Sequence, residues 1–195
     1  MKRHLRILAL LAPLALAFGC SKAPADAAIK AAESAIDAAK PLAEKFVPDQ
    51  MKSLSDALAD AKDKFGKGDY SGALAAAKDL PARANDVLAA AKAKKEELTK
   101  AWDGLTKDVS ASLSAVSAKV GELSSMKKLP KGMDKAKVDG AKAALDGANQ
   151  EWAQAAEAAK ADKGSEALKR AGEVKAKATE IMASLGMPGE PAPAK

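Results

Sequence analysis

From Asp69 to Met126 the chain runs without a glycine pair or a polar loop, between Gly66-Lys67-Gly68 and Leu129-Pro130-Lys131-Gly132. Only Pro81 interrupts it, and a single interior proline kinks a helix or ends it. An unbroken helix of this length spans about 85 Å at about 1.5 Å per residue. Such a helix cannot bury its apolar stripe alone, so other helices must lie along it.

Composition points the same way. Alanine, the best helix former, makes up roughly a quarter of the chain. Val and Ile are sparse, and no stretch alternates with period two, so an all-α fold is expected. Aromatics are only 3%, so the core must be thin and built from Ala, Leu, Val and Met. Its stability then rests on many small contacts along long helices.

The flanking helices follow from spacing. Ile29, Ala32, Ile36, Ala39, Ala43 and Phe46 recur at steps of three and four, with Asp26 as the expected cap and Pro41 as an expected bend. After Pro48-Asp49, the residues Met51, Leu54, Leu58, Ala61 and Phe65 share one face. Asp69 is the expected cap of the long helix. Its first half carries Tyr70, Ala73, Leu74, Ala77, Leu80, Ala84, Val87 and Ala91; Lys92 to Glu97 is nearly all charged. Its second half carries Leu98, Trp102, Leu105, Val109, Leu113, Val116, Val120 and Leu123 in a near-heptad. A further helix carries Val138, Ala141, Leu145, Ala148, Trp152, Ala155 and Ala159. Asp162-Lys163-Gly164-Ser165 reads as a turn, and Leu168, Ala171, Val174, Ala178, Ile181 and Leu185 form the last stripe.

These lengths predict an elongated, coiled-coil-like fold: two three-helix bundles sharing one long central helix. Residues 26–97 form the first bundle and 98–186 the second, with a disordered Pro/Ala tail over 187–195. The competing arrangement breaks the chain near Pro81 or Lys94 and packs everything as one compact bundle.

Residues 1–20 read as an export signal: Lys2, Arg3, His4 and Arg6, then an apolar stretch from Ile7 to Phe18 that is short for a membrane span. Its end, Ala17-Phe18-Gly19-Cys20-Ser21, resembles the lipobox of bacterial lipoproteins. That resemblance implies acylation of Cys20, cleavage before it, and a short tether over 21–25. Ser21 in place of Asp implies the outer membrane of a Gram-negative bacterium, with the protein facing the periplasm. Ala15-Leu16-Ala17 offers an ordinary signal-peptidase site instead, which would leave Cys20 a free thiol in a soluble periplasmic protein. Removing Lys2, Arg3 and Arg6 with the leader lowers the formal net charge from +6 to about +3. The remaining charges are interleaved, so nucleic acid is not an expected partner.

Residues from about 25 to 91 resemble a family of bacterial envelope proteins, domain of unknown function 4398, whose members are alanine-rich helical hairpins and often lipoproteins. The matching residues are Pro48, Leu54, Ala57, Leu58, Ala61, Gly68-Asp69-Tyr70, Ala73, Leu74 and Ala77. The resemblance implies an envelope location and no known chemistry.

The one histidine, His4, falls in the expected leader, and the one cysteine, Cys20, is the acylation site that the lipobox resemblance implies. No second imidazole or thiol remains for haem, zinc, copper or thiol chemistry, so neither cofactor, metal site nor enzymatic activity is expected. Glu96-Glu97 and Asp60/Asp63 read as solvated surface carboxylates. Trp102 and Trp152 are expected to face each other as core aromatics of the second bundle, with a surface aromatic patch as the alternative. Lys127, Lys128 and Lys131 surround the turn at Pro130, as a solvated loop or an anionic contact. The C-terminal Lys195, after a Pro/Ala tail, resembles the peptidoglycan-linked lysine of Braun-type lipoproteins and marks a candidate wall attachment. The expected role is structural or protein-interacting, through acyl chains in a membrane and a partner in the envelope. A helical binding module for an apolar ligand or partner helix is the alternative.

Overall fold

A computed structural model describes residues 22–188. The leader, Cys20, Gly189 and the tail to Lys195 lie outside them. The described residues are all-helical: α1 (Lys22–Phe46), α2 (Pro48–Gly66), α3 (Tyr70–Ala77), α4 (Leu80–Ser125), α5 (Lys135–Lys160) and α6 (Gly164–Ser184). The chain divides into two compact units, between Lys92 and Ala93.

In the first unit α1 and α2 are joined through Val47 alone, with Pro48 at the first position of α2, where its missing N–H costs no helical bond. The buried stripe of α1 is Ala25, Ile29, Ala32, Ile36, Ala39 and Ala43. Ile36 and Ala43 pack with Met51, Leu54, Leu80, Ala84, Val87 and Ala91. Ala25 and Ile29 pack with Ala61, Ala73 and Ala77 at the other end of the unit. Methyl groups on three helices meet there, so the helices approach closely and little area is buried per contact.

The expected tether is shorter than its predicted span. Lys22 to Ala25 are helical, and Asp26 is not a cap but pairs with Lys30 at 2.7 Å, one turn on. Fully buried Ala25 explains the earlier start: it completes the alanine cluster with α2 and α3.

The helical path from Tyr70 to Ser125 has one interruption, at Lys78–Asp79. Pro81 is its cause, because it offers no N–H to the carbonyl four residues earlier and sits instead in the first turn of α4. Lys78 keeps helical dihedrals, φ −57° and ψ −35°. Asp69 caps α3 by accepting from the Gly72 N–H at 2.9 Å. From Leu80 the helix continues for 46 residues, with Lys92 to Glu97 inside it.

In the second unit Val109, Leu113, Val116, Val120 and Leu123 of α4 pack with Val138, Ala141, Leu145 and Ala148 of α5. Val174, Ala178, Ile181 and Met182 of α6 complete the core. Ser112 is also buried, beside a stripe that the heptad reading left apolar. Ala158 and Ala167 are buried in place of the expected Ala159 and Leu168. Met187, placed in the tail by sequence, packs against this core.

Helices α2, α5 and α6 end alike. Gly68 (φ 80°), Asp162 (φ 58°) and Gly186 (φ 67°) take the left-handed conformation. The next N–H reaches back to a carbonyl of the last turn: Asp69 to Lys64, Lys163 to Ala158, Met187 to Met182. Asp at such a position is uncommon but tolerated. Gly164 is the first residue of α6 rather than part of a turn, and a side chain there would lie 3.0 Å from Leu98 Cβ, so the position favours glycine.

Candidate functional site

Three places carry side chains of potential functional interest. The first is the end of the first unit where α1 starts. The C-terminus of α2 and the N-terminus of α3 arrive at the same end. Phe65 and Tyr70 meet edge to face, with ring centroids 5.1 Å apart and planes at 65°. Lys22 Nζ lies 5.9 Å from the Tyr70 centroid, within cation–π range. Both rings are half-buried on the alanine cluster. Sequence reading placed Phe65 and Tyr70 on separate helical faces and missed their meeting. The available signal was their position on either side of the Gly66–Asp69 turn.

The second is the tryptophan pair. Trp102 on α4 and Trp152 on α5 stack at 5.2 Å with planes 14° apart. They face each other as expected but are half-buried rather than fully enclosed. The Thr106 hydroxyl, one turn on from Trp102, is buried without a hydrogen-bond partner. Trp102→Ala should therefore cost about 1–3 kcal/mol, below the ~3–5 kcal/mol of a fully buried tryptophan. A double-mutant cycle with Trp152→Ala should give a coupling of about 0.5–1.5 kcal/mol by denaturant unfolding. Zero coupling would mean the rings do not stack in solution.

The third is the α4–α5 loop. Lys127, Lys128 and Lys131 are exposed beside Met126, which is 38% exposed. Lys137 Nζ donates to the Gly132 carbonyl at 2.8 Å and closes the loop.

The paired carboxylates are separated by their own lysines. Glu96 takes Lys100 at 2.6 Å, Glu97 takes Lys94 at 2.9 Å, and Asp60 and Asp63 take Lys64 and Lys67 at 2.6 Å each. Surface pairs of this kind contribute about 0–1 kcal/mol. Fewer pairs among the described residues tie separate elements together: Lys62 to Glu33 at 2.6 Å, Lys95 to Asp162 at 2.8 Å, Lys175 to Asp108 at 3.1 Å and Lys177 to Glu151 at 2.5 Å. Among the described residues no group of three or more His, Cys, Asp or Glu is placed to hold a metal ion. No described helix is long and apolar enough to cross a membrane.

Hydrogen bonds from Lys100 to Glu96 and from Arg170 to Glu166 hold both carboxyls below the ordinary glutamate range. Hydrogen bonds to Asp26, Asp56 and Asp63 raise Lys30, Lys52 and Lys67 above the ordinary lysine range. The depressed carboxyls stabilise the fold above the unfolded glutamate value, and that contribution is lost as pH falls through their folded values. The raised lysines stabilise it below the unfolded lysine value, and that contribution is lost as pH rises through their folded values. The melting temperature should thus be flat between about pH 6 and 9 and fall only outside that window. A transition centred near neutral pH would contradict this.

Cys20 and Lys195 lie outside the described residues. No protein-family model, curated protein or solved structure matches this chain.

Proposed function

We propose that the chain is a non-enzymatic, lipid-anchored protein of the bacterial outer membrane, facing the periplasm, with a structural or protein-interaction role in the envelope. The observation that carries this reading is Cys20, the single cysteine, standing directly after a basic start and an apolar segment in Ala17-Phe18-Gly19-Cys20-Ser21. Two or more acyl chains make a stable anchor, whereas one alone is marginal. Helices whose carboxylates are matched to lysines one turn away, over alanine-lined seams, suit a scaffold more than a catalyst. Growth with a labelled fatty acid tests the anchor. Label should appear in the protein and vanish with Cys20→Ala. Unlabelled protein that is released freely from membranes would overturn the reading.

A second reading, a helical binding module for an apolar ligand or a partner helix, draws on the partly buried Trp102–Trp152 stack beside the unpartnered Thr106 hydroxyl. It expects tryptophan emission to shift on addition of a long-chain fatty acid. Unchanged emission contradicts it for that ligand class.

A further inference from the structure

We infer that the α1-start end of the first unit, presenting Lys22, Phe65 and Tyr70, is a membrane-contact surface seated on phospholipid headgroups. This rests on the proposed acylation of Cys20. Only Ser21 stands between Cys20 and the first residue of α1. Two residue steps reach at most about 7 Å even when fully extended. The headgroup layer on each side of a bilayer is itself about 5–7 Å thick. An acylated Cys20 therefore holds Lys22 within or directly against that layer, with no slack for the unit to drift away.

Geometry then fixes what else arrives there. Ala25 packs with Ala61 and Ala73, and Lys22 reaches the Tyr70 ring, so the α2–α3 turn shares the end with the anchor. That turn offers the exposed Lys67, with Phe65 and Tyr70 on either side of it. A phenol and a phenyl ring that are each partly buried on the alanine cluster and partly open to solvent, flanked by lysines with long apolar stems, match the chemistry of a lipid–water interface. The acidic groups at this end are already engaged: Asp60 and Asp63 by lysines, Asp26 by Lys30 and Asp69 by the Gly72 N–H. The lysines remain able to approach phosphates, because their exposed pairs exchange with solvent.

The test uses the full acylated chain in vesicles of phosphatidylethanolamine and phosphatidylglycerol carrying a headgroup-attached quencher. Acylation leaves no free thiol, so Ser71→Cys, beside Tyr70, and Asp49→Cys, at the opposite end of the unit, can each carry a single fluorophore. The label at position 71 should be quenched several-fold more strongly than that at 49. Phe65→Ser with Tyr70→Ser should reduce the difference. Equal quenching at 71 and 49 in protein that floats with the vesicles, its acyl chains verified by mass, overturns the inference while leaving the anchor intact. Protein with no acyl chain, failing to float, overturns both.

Discussion

Leu54→Ala should lower the stability of the first unit by about 3–5 kcal/mol, the upper part of the range for a buried leucine. Leu54 is 1% exposed and is the largest fully buried side chain on α2. It belongs to a buried cluster in which alanines (Ala32, Ala43, Ala84, Ala91) alternate with the larger Ile36, Met51, Leu80 and Val87. Alanine methyl groups cannot swing into a vacated space, so the cavity closes only as far as the larger members move, and what remains adds to the lost transfer energy. Leu58→Ala, one turn on and half-buried, should cost about 1–2 kcal/mol by the same reasoning. Denaturant unfolding followed by circular dichroism distinguishes the two. Equal effects would mean that the alanine seam relaxes around the gap.

Lys94→Pro should cost about 3 kcal/mol or more and remove helical signal. Lys94 lies inside α4, two residues past the boundary between the units. Its side chain makes only an exposed pair with Glu97 at 2.9 Å, so Lys94→Ala should be neutral within about 0.5 kcal/mol. The difference between the two variants isolates the backbone. Proline removes the N–H that bonds the Ala90 carbonyl and crowds that turn. A chain already broken between Lys92 and Glu97 would tolerate proline as well as alanine.

Spacing made the stripes legible wherever a helix buries one narrow face. Ile29 to Ala43 and Val109 to Leu123 needed no partner to be read, because leucine, valine and isoleucine at steps of three and four have few other places to go. What escaped depends on residues distant in sequence. Ala25 is buried only because Ala61 and Ala73 are small enough to let α1 close on them. Alanine fits core and surface equally well, so no local pattern marks that start. Gly164 looks like a turn until Leu98 is seen against it. Trp102 lies on the expected stripe, yet it is only partly buried, because burial at the margin of a unit depends on how far its partner helices extend. Pro81 was legible as a disturbance. Its outcome, a two-residue interruption at Lys78–Asp79 with helix on both sides, leaves Ala77 and Leu80 each buried. Of the three places described, the tryptophan pair and the lysine loop could be read from sequence. The Phe65–Tyr70 pair was signalled only by its place on either side of the Gly66–Asp69 turn, and Lys22 joins it only because the start of α1 is brought to that turn.

The proposed envelope role stands or falls with the covalent state of Cys20. Mass spectrometry of the N-terminal peptide from membrane-extracted protein reads it directly. The expected peptide begins at Cys20 and carries the added mass of at least two fatty acyl groups. A chain that begins at Phe18, with an unmodified Cys20 thiol, would contradict the proposed role.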